Sequence, residues 1–372
     1  MNSPDVYKKL GIEPVINAQS WVTVLGGSLM KPEVLSAMNE ASSVFVDMIK
    51  LNKSAGDFIA KICNAEKGLI TSGCAAAQVL MVSACMTGKD ESKIDLLPSS
   101  DLGKNQVLLH SKQRNRYEKS FTMPGATIVE FSSEEELKSL ISNKTACVAY
   151  VLAPWLSRGL GLSRTIDLAH EKDVPIIMDA AAELPPRANL SKFIDMGVDL
   201  VAFSGGKGIQ GPQSTGFLAG KKDLVDAAFM NSLNLHAELA AIGRPMKVSK
   251  ENIVGLVTAL EMFIDTDESK EWSDWLDKSK RIKNRIENTK GIKVTIEDDE
   301  ETRQGPTVVI RFGKNYKGPS LKKILFELEN GKPNIFVSTQ PHINEISLIM
   351  VNIQDGEDII IAERLTEILE KS

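Results

Sequence analysis

The chain has 372 residues, of which 42% are hydrophobic and 25% are charged, and its formal net charge at pH 7 is −5. This length and composition predict a globular protein with two domains, one large and one small. The acidic balance makes a nucleic-acid partner unfavourable, because nucleic-acid phosphates attract basic surfaces. No apolar run reaches the length of a transmembrane helix, and the first residues lack the apolar core of a signal peptide.

The cysteines and histidines predict reduced thiols and no metal site. The histidines, at positions 110, 170, 236 and 342, are too scattered to indicate metal ligands. The cysteines show no C-x-x-C spacing, which favours free thiols in a cytoplasmic protein. These cysteines are Cys63, Cys74, Cys85 and Cys147.

The first 64 residues carry few specific signals. A short apolar piece at residues 14–18 precedes a glycine-containing turn at residues 25–28. Helices are predicted over residues 31–47, with Pro32 in the first turn, and over residues 57–64.

The stretch from residue 67 to residue 88 predicts a strand, a turn and a buried helix. The strand covers residues 68–71, and the alanine-rich helix covers residues 74–87 and is apolar almost all round. Its start, Ser72-Gly73-Cys74, offers free backbone N–H groups and the positive end of a helix dipole. A phosphate group is a suitable ligand there, although an ordinary capped core helix would also explain the serine.

Short apolar strands then alternate with helical segments. This alternation predicts a mostly parallel sheet with right-handed crossovers. A polar loop at residues 111–117 follows the first of these strands. The strands are predicted at residues 106–110, 126–131 and 147–153, and the helices at residues 134–141 and 163–172.

Two predicted buried strands are each followed by side chains that could take part in catalysis. The strand at residues 174–178 ends at Asp179, and the strand at residues 200–203 ends in a turn that carries Ser204 and Lys207. The carboxyl ends of strands in open α/β sheets are where ligands bind. A lysine paired with an acid is what a pyridoxal phosphate (PLP) enzyme requires. The alternatives are a surface turn with a capping aspartate and a P-loop, which Gly208 disfavours because Ser or Thr belongs there.

The last third of the chain predicts a smaller α/β domain. Helices at residues 222–235, 250–263 and 266–289 lead into it, and a Gly-Arg-Pro break interrupts them at residue 243. We divide the chain into an N-terminal segment, a large domain and a small C-terminal domain at residues 1–20, 21–248 and 249–372. Within the small domain, strands are predicted at residues 307–312, 335–338 and 346–353, and helices at residues 321–329 and 357–370.

Several longer motifs point to one family. They read INAQSWVTVLGGS, TSGCAAA, DAAAELPP, FSGGKGIQGPQSTG and GRPMKVSKENIVGL. Over residues 5–265 the sequence resembles the selenocysteine synthase-like group of fold-type I PLP enzymes. That group includes L-seryl-tRNA selenium transferases and D-glucosaminate-6-phosphate ammonia-lyases. The resemblance implies a mostly parallel central sheet flanked by helices, with a smaller C-terminal α/β domain.

The resemblance also implies roles for individual residues. Lys207 would form the Schiff base with PLP and act as the base at the substrate Cα. Asp179 would keep the pyridine nitrogen of the cofactor protonated. Ser204 would bind the phosphate group together with the helix start formed by Ser72, Gly73 and Cys74.

The sequence departs from the family at the residue expected to stack on the cofactor ring. Gln113 stands where the ammonia-lyases often have a histidine. We keep Gln113 as a cofactor-binding candidate and expect the stacking to come from Tyr117 or His110. A structural hydrogen bond is an equal explanation for His110.

Three arginines are candidates for gripping a substrate carboxylate or phosphate, because guanidinium groups bind such anions bidentately. Arg244 lies in a motif that matches the family, whereas Arg114 and Arg116 are equally explained as surface charges.

The function that follows is a PLP-dependent lyase. It would eliminate water and ammonia from an amino acid or amino-sugar acid resembling D-glucosaminate, and release a 2-keto-3-deoxy acid. Selenium transfer onto seryl-tRNA is the alternative, disfavoured by the acidic charge and by core motifs that begin near residue 12. A PLP-fold protein without catalysis is a third possibility. We expect a small-molecule substrate and a homodimer or higher homo-oligomer, in which residues 23–28 reach a neighbouring subunit's site.

Overall fold

The computed structural model describes residues 4–99, 101–153, 156–157, 159–232, 240–299 and 304–371. His236 and the last three residues of the helix predicted over 222–235 lie outside this part of the chain. No helix of the described residues is both long enough and apolar enough to span a membrane.

The described residues form strands and helices in the following order. The strands are β1 (Val15–Ala18), β2 (Lys67–Thr71), β3 (Gln106–His110), β4 (Thr127–Phe131), β5 (Thr145–Val151), β6 (Ile176–Asp179), β7 (Leu200–Ser204), β8 (Gly216–Gly220), β9 (Ile292–Glu297), β10 (Thr307–Phe312), β11 (Asn334–Gln340) and β12 (Glu345–Ile349). The helices are α1 (Asp5–Lys8), α2 (Pro32–Ser42), α3 (Met48–Ile62), α4 (Cys74–Thr87), α5 (Glu91–Leu96), α6 (Lys119–Thr122), α7 (Glu134–Leu140), α8 (Leu162–His170), α9 (Asn189–Asp195), α10 (Lys222–Met230), α11 (Lys250–Asp265), α12 (Glu268–Ile286), α13 (Leu321–Glu329) and α14 (Glu357–Leu369).

Packing divides the chain into two units at positions that differ from the predicted domain limits. One unit is Ser28–Asp265, and the other joins Met1–Gly27 to Thr266–Ser372. The N-terminal segment belongs to the second unit because β1 pairs in parallel with β11. Helix α11, which we assigned to the small domain, belongs to the first unit because it packs on α2 and α3.

The larger unit contains a seven-stranded sheet with the order β2-β8-β7-β6-β5-β3-β4. The neighbouring pairs from β7 to β4 are parallel, and only β8 runs antiparallel to its neighbours β7 and β2. Alternate residues of β6 and β7 enter two different apolar clusters, one on each face. Strands that are buried on both faces are typical of a sheet with helices on both sides. The predicted α/β fold, with its mostly parallel central sheet, is confirmed.

The direction of β8 brings three strand ends to one edge of the sheet. Gly216, the first residue of β8, pairs with Thr71 at the end of β2 and with Ser204 at the end of β7. Asp179, at the end of β6, pairs with Ala202 of β7. The carboxyl ends of β2, β6 and β7 therefore lie at the same edge, and two residues separate the end of β2 from the start of α4.

The smaller unit contains a five-stranded sheet with the order β1-β11-β12-β10-β9. Apart from the parallel β1–β11 pair, these strands are antiparallel. Apolar residues of α12, α13 and α14 join those of the strands in a single cluster. The predicted strand at residues 346–353 is shorter than expected, because the chain turns into a 3₁₀ segment at Met350–Asn352.

The helix predictions near the N-terminus were wrong in their limits. The predicted helix 31–47 ends at Ser42, and the next helix starts at Met48 rather than at residue 57. Asp47 explains the break, because its carboxylate accepts hydrogen bonds from the backbone of Ile49 and Lys50 and so caps α3. The three apolar residues between the helices hid this boundary in the sequence.

Helix α3 approaches β2 through two glycines, and this contact yields a stability prediction. A methyl group on Gly68 would lie 2.5 Å from the Ile59 Cβ and 2.9 Å from the Gly56 carbonyl oxygen. Gly68→Ala should therefore lower the free energy of unfolding by about 1–3 kcal/mol through overpacking. Chemical denaturation measures this, with Gly161→Ala as the control because a methyl group there meets no atom within 4 Å. Equal stabilities of the two variants would contradict the prediction.

Candidate active site

The candidate site lies at the sheet edge where β2, β6 and β7 end. Asp179 is the last residue of β6, and Lys207 follows β7 by three residues. The two side chains are close enough for the positive charge of Lys207 to lower the pKa of Asp179. The same charge acts on the thiol of Cys74 at the start of α4. The fold thus brings together three residues from three separate parts of the sequence.

Asp179 is buried, and its carboxylate is held by donors from two elements. Its Oδ1 accepts a hydrogen bond of 3.0 Å from the Ala181 backbone N–H and one of 3.6 Å from the Cys74 thiol. Burial raises the pKa of Asp179, while the Ala181 N–H, the Lys207 charge, Cys74 and Gln78 oppose that rise. The carboxylate is consequently a charge that burial disfavours and that a cationic partner would stabilise.

The start of α4 is free to bind an anion. Gly73, at the N-cap, has a φ of +130° and, as a glycine, offers no side chain to accept hydrogen bonds from the first turn. The first N–H groups of this 14-residue helix lie at the positive end of its dipole. Gly216 packs against this start, since a methyl group on it would lie 2.6 Å from the Cys74 nitrogen. Ser72 and Gly73 are only partly buried, so a ligand can reach them.

The loop that carries Lys207 is held by backbone hydrogen bonds. The N–H of Gly205 donates to the Thr215 carbonyl, and the N–H of Gly211 donates back to Gly205, both at 2.9 Å. The Ser28 hydroxyl donates to the Gly206 carbonyl at 3.1 Å. These contacts hold the loop under the lysine in one conformation. Ser28 belongs to the turn at residues 25–28 noted in the sequence, whereas Thr215 was not singled out there.

The candidates for ring contact occupy different environments. Gln113 is fully buried, and its Oε1 accepts a 2.9 Å hydrogen bond from the Val151 N–H. Val151 pairs with Asp179 across β5 and β6, so Gln113 supports the strand next to the site. Tyr117 is exposed. His110 lies at the end of β3, where its Nδ1 accepts a hydrogen bond from the Lys112 N–H and its ring meets Phe131 edge-on.

The three arginines also differ in their surroundings. The guanidinium of Arg114 pairs with both Glu118 and Glu130. Arg116 is exposed and lies 5.9 Å from the centroid of the Tyr117 ring. Arg244 is exposed at the start of a 3₁₀ turn. Their predicted contacts with substrate stay predictions, and the two carboxylates on Arg114 would compete with any substrate anion.

One residue of the site, Gln78, was missed in the sequence. Its side chain is buried on α4, one turn after Cys74, and its Nε2 donates to the Cys74 sulfur at 3.7 Å. The available signal was an amide inside a helix that is otherwise apolar on every face, because a buried amide requires hydrogen-bond partners. Within the described residues, no group of three or more His, Cys, Asp or Glu side chains could hold a metal ion.

Known proteins resemble this chain over most of its length. The profile of the family Aminotransferase class-V matches residues 59–356. A D-glucosaminate-6-phosphate ammonia lyase from Salmonella typhimurium is 30% identical over 99% of both chains. A solved structure of a D-glucosaminate-6-phosphate ammonia-lyase superposes with a TM-score of 0.85 at 30% identity and covers 99% of both chains. The resemblance seen in the sequence motifs is thereby confirmed.

Two further relatives carry other activities. A 5'-C-glycyluridine monooxygenase-decarboxylase from a Streptomyces species is 28% identical over 98% of this chain and 92% of its own length. An L-seryl-tRNA(Sec) selenium transferase from Nitratidesulfovibrio vulgaris is 21% identical over 67% of this chain and 55% of its own length. The fold is therefore shared by proteins with different reactions.

The raised pKa of Asp179 predicts how the stability of the apoprotein depends on pH. The pKa of Asp179 is higher in the folded protein than the value of about 4 in the unfolded chain, so the folded state favours the protonated carboxyl group. The free energy of unfolding therefore decreases as the pH rises through the folded pKa. Asp179→Asn removes this loss. The variant apoprotein should melt at a higher temperature than the wild type at pH 7, and the gap should close toward pH 4.

Calorimetry of both apoproteins between pH 4 and pH 8 measures this gap. Asp223→Asn is the control, because the pKa of the exposed Asp223 is lowered by its hydrogen bond to Lys89. Its substitution should give no gain in melting temperature at pH 7. A lower melting temperature for Asp179→Asn than for the wild type at pH 7 would refute the argument.

Proposed function

Because the chain belongs to the aminotransferase class-V family of fold-type I, PLP-dependent enzymes, we propose that it is a lyase that removes ammonia from an amino-sugar acid. The single observation that carries this proposal is the 30% identity, over 99% of both chains, to a D-glucosaminate-6-phosphate ammonia lyase. The substrate class is an amino acid with a hydroxyl group on Cβ, for which D-glucosaminate and its phosphate are the reference compounds.

The residues at the sheet edge suit PLP. The N–H groups at the start of α4 would suit a phosphate group. The buried Asp179 carboxylate would form an ion pair with the protonated ring nitrogen, and the Lys207 amine would form a Schiff base with the aldehyde carbon. We assign the phosphate to Ser72, Gly73 and Cys74.

Ser204 would join these phosphate contacts, because its residue pairs with Gly216 beside the helix start. We also propose that the face of the ring meets Tyr117 or the polar loop that carries Gln113. Both assignments concern this chain's own side chains and are open to substitution.

Bound PLP supplies an electron sink for the electron pair left on Cα when a bond to that carbon breaks. Lys207 takes the proton from the substrate Cα and can return a proton later. Asp179 keeps the proton on the ring nitrogen, which the sink requires. The residues of β6 and β7 beside the Lys207 amine are largely buried, which limits the access of water to it.

The net reaction is balanced without any external oxidant or reductant. The CHOH–CH(NH₂) unit of the substrate becomes a CH₂–CO unit, and one ammonia is released. The elimination removes a proton from Cα and a hydroxide from Cβ, which together make one water. A water is then consumed when the carbon–nitrogen bond is hydrolysed and ammonia leaves. Arg244 is the arginine that we place on the substrate carboxylate or phosphate, since its guanidinium is exposed.

A second candidate is oxidative decarboxylation, favoured by the relative that is 28% identical over 98% of this chain. It differs in the bond to Cα that breaks, which is the bond to the carboxylate rather than the bond to hydrogen. It also consumes dioxygen and releases carbon dioxide. Selenium transfer is a third outcome, which requires binding of a charged tRNA.

The reaction is tested with the PLP-loaded protein and a panel of 2-amino sugar acids, with and without a phosphate group. We expect release of ammonia and a keto acid in equal amounts, with no uptake of dioxygen. Lys207→Ala should lower the rate at least a hundredfold, because it removes the base at Cα. Lys61→Ala, an exposed lysine on α3, should have no effect.

Other outcomes select the competing chemistries. Uptake of dioxygen with release of carbon dioxide would favour the decarboxylase. Retardation of seryl-tRNA on a gel, with no ammonia formed, would favour selenium transfer. Either result would overturn the lyase assignment.

We further propose that the enzyme is a cytoplasmic homodimer. Its cysteines are free and buried. Large apolar side chains between α2 and α3 and in the first turn of α3 are exposed to solvent, and such a group suits a protein interface. These side chains are Val44, Phe45, Val46 and Ile49.

The dimer yields a prediction at Phe45. Phe45→Glu places a charge in the interface, so the sedimentation coefficient should fall from that of a dimer to that of a monomer. Phe326→Glu is the control, because Phe326 is an exposed phenylalanine on α13 of the other unit. Sedimentation velocity at micromolar concentration measures both variants. A Phe45→Glu protein that stays dimeric would place the interface elsewhere.

A further inference from the structure

A chain of hydrogen bonds leads from α6 through α4 to the Asp179 carboxylate. Ser120 donates to the Gln78 Oε1, and Gln78 donates through Nε2 to the Cys74 sulfur at 3.7 Å. Cys74 donates in turn to the Asp179 Oδ1 at 3.6 Å. All four side chains are buried, with exposed fractions of 3–8%. Buried polar groups in such a row constrain one another's orientation.

The direction of these hydrogen bonds follows from the chemistry of each group. Cys74 and Gln78 are four residues apart on α4, so they lie on one face of the helix. The pKa of the Cys74 thiol is raised by burial and by the charge of Asp179, so the thiol keeps its proton and acts as a donor. The Gln78 amide has two N–H donors, and the Ser120 hydroxyl occupies its carbonyl oxygen. The N–H side of the amide is therefore left for Cys74 and Asp179.

Both donors favour the charged form of the acid. Hydrogen bonds from Cys74 and from Gln78 lower the pKa of Asp179, against burial, which raises it. The backbone N–H of Ala181 adds a third donor. Each hydrogen bond donated to a carboxylate lowers its proton affinity. A proton shared between that carboxylate and a pyridine nitrogen therefore lies more on the nitrogen.

We propose that Cys74 and Gln78 are positioning residues that keep Asp179 ionised and aimed, and thereby keep the proton on the ring nitrogen of bound PLP. This inference rests on the proposed function only for the presence of the cofactor, and not for the identity of the substrate. It assigns to α4 a second task besides binding phosphate: the helix sets how strongly the cofactor withdraws electrons.

The test measures the proton on the ring nitrogen directly. The holoenzyme is reconstituted with PLP that carries a heavy nitrogen isotope in the ring, and the nitrogen chemical shift is recorded between pH 6 and pH 9. The wild type should give the signal of a protonated ring. Gln78→Met removes the amide donors at nearly constant volume. It should move the signal toward the neutral ring and weaken PLP binding about tenfold, as expected for the loss of a hydrogen bond to a charged group.

A pair of substitutions at Cys74 separates positioning from packing. Cys74→Ser keeps a donor and should retain the protonated signal, whereas Cys74→Ala loses the donor and should shift as Gln78→Met does. Ser83→Ala is the matched control on the same helix, because the buried Ser83 hydroxyl bonds only to the Val79 carbonyl among the described partners. Its signal should equal that of the wild type.

The outcomes distinguish the inference from the function on which it rests. Wild-type signals in both Gln78→Met and Cys74→Ala would falsify the positioning role while leaving a PLP enzyme in place. If Gln78→Met does not fold, the two Cys74 variants decide alone. A wild-type protein that does not bind PLP would instead overturn the proposed function.

Discussion

The candidate site is built around a carboxylate that is held away from water. Asp179 is buried at the end of a strand, where burial alone would neutralise it. The Ala181 N–H, the Cys74 thiol and the Gln78 amide offset that tendency, together with the positive charge of Lys207. An acid in such a setting is costly for the apoprotein and useful for binding a cationic ring. Stability and catalysis therefore make opposite demands on this one side chain.

The sheet topology makes this arrangement possible. Strands β2, β6 and β7 run in the same direction, so their carboxyl ends lie at the same edge. Because β8 runs antiparallel between β2 and β7, its first residue also lies at this edge, beside the start of α4. Gly216 permits the close approach of β8 to that helix start. The start of α4, the acid and the amine thus come from distant parts of the chain and meet at one edge.

Relatives that match nearly the whole chain carry different activities. They include an ammonia lyase and a monooxygenase-decarboxylase. Similarity over the whole chain therefore does not fix the reaction, which depends on the side chains that surround the substrate.

The sequence alone determined the elements that depend on local pattern. Apolar runs that end in Asp179 and in Ser204–Lys207 predicted β6, β7 and the edge where they meet, and the glycine-containing helix start at Gly73 predicted α4. These signals are local because strand burial, turn formation and helix initiation act over a few residues.

Only the tertiary structure decided which groups touch. It showed that Gln78 reaches the site through Cys74, that Gln113 bonds to Val151, and that α11 packs with the larger unit. The position of β1 in the second sheet was likewise undetermined, since pairing with β11 joins residues more than 300 positions apart. Such contacts arise from the burial of side chains between distant segments, and no local pattern records which segment will be the neighbour.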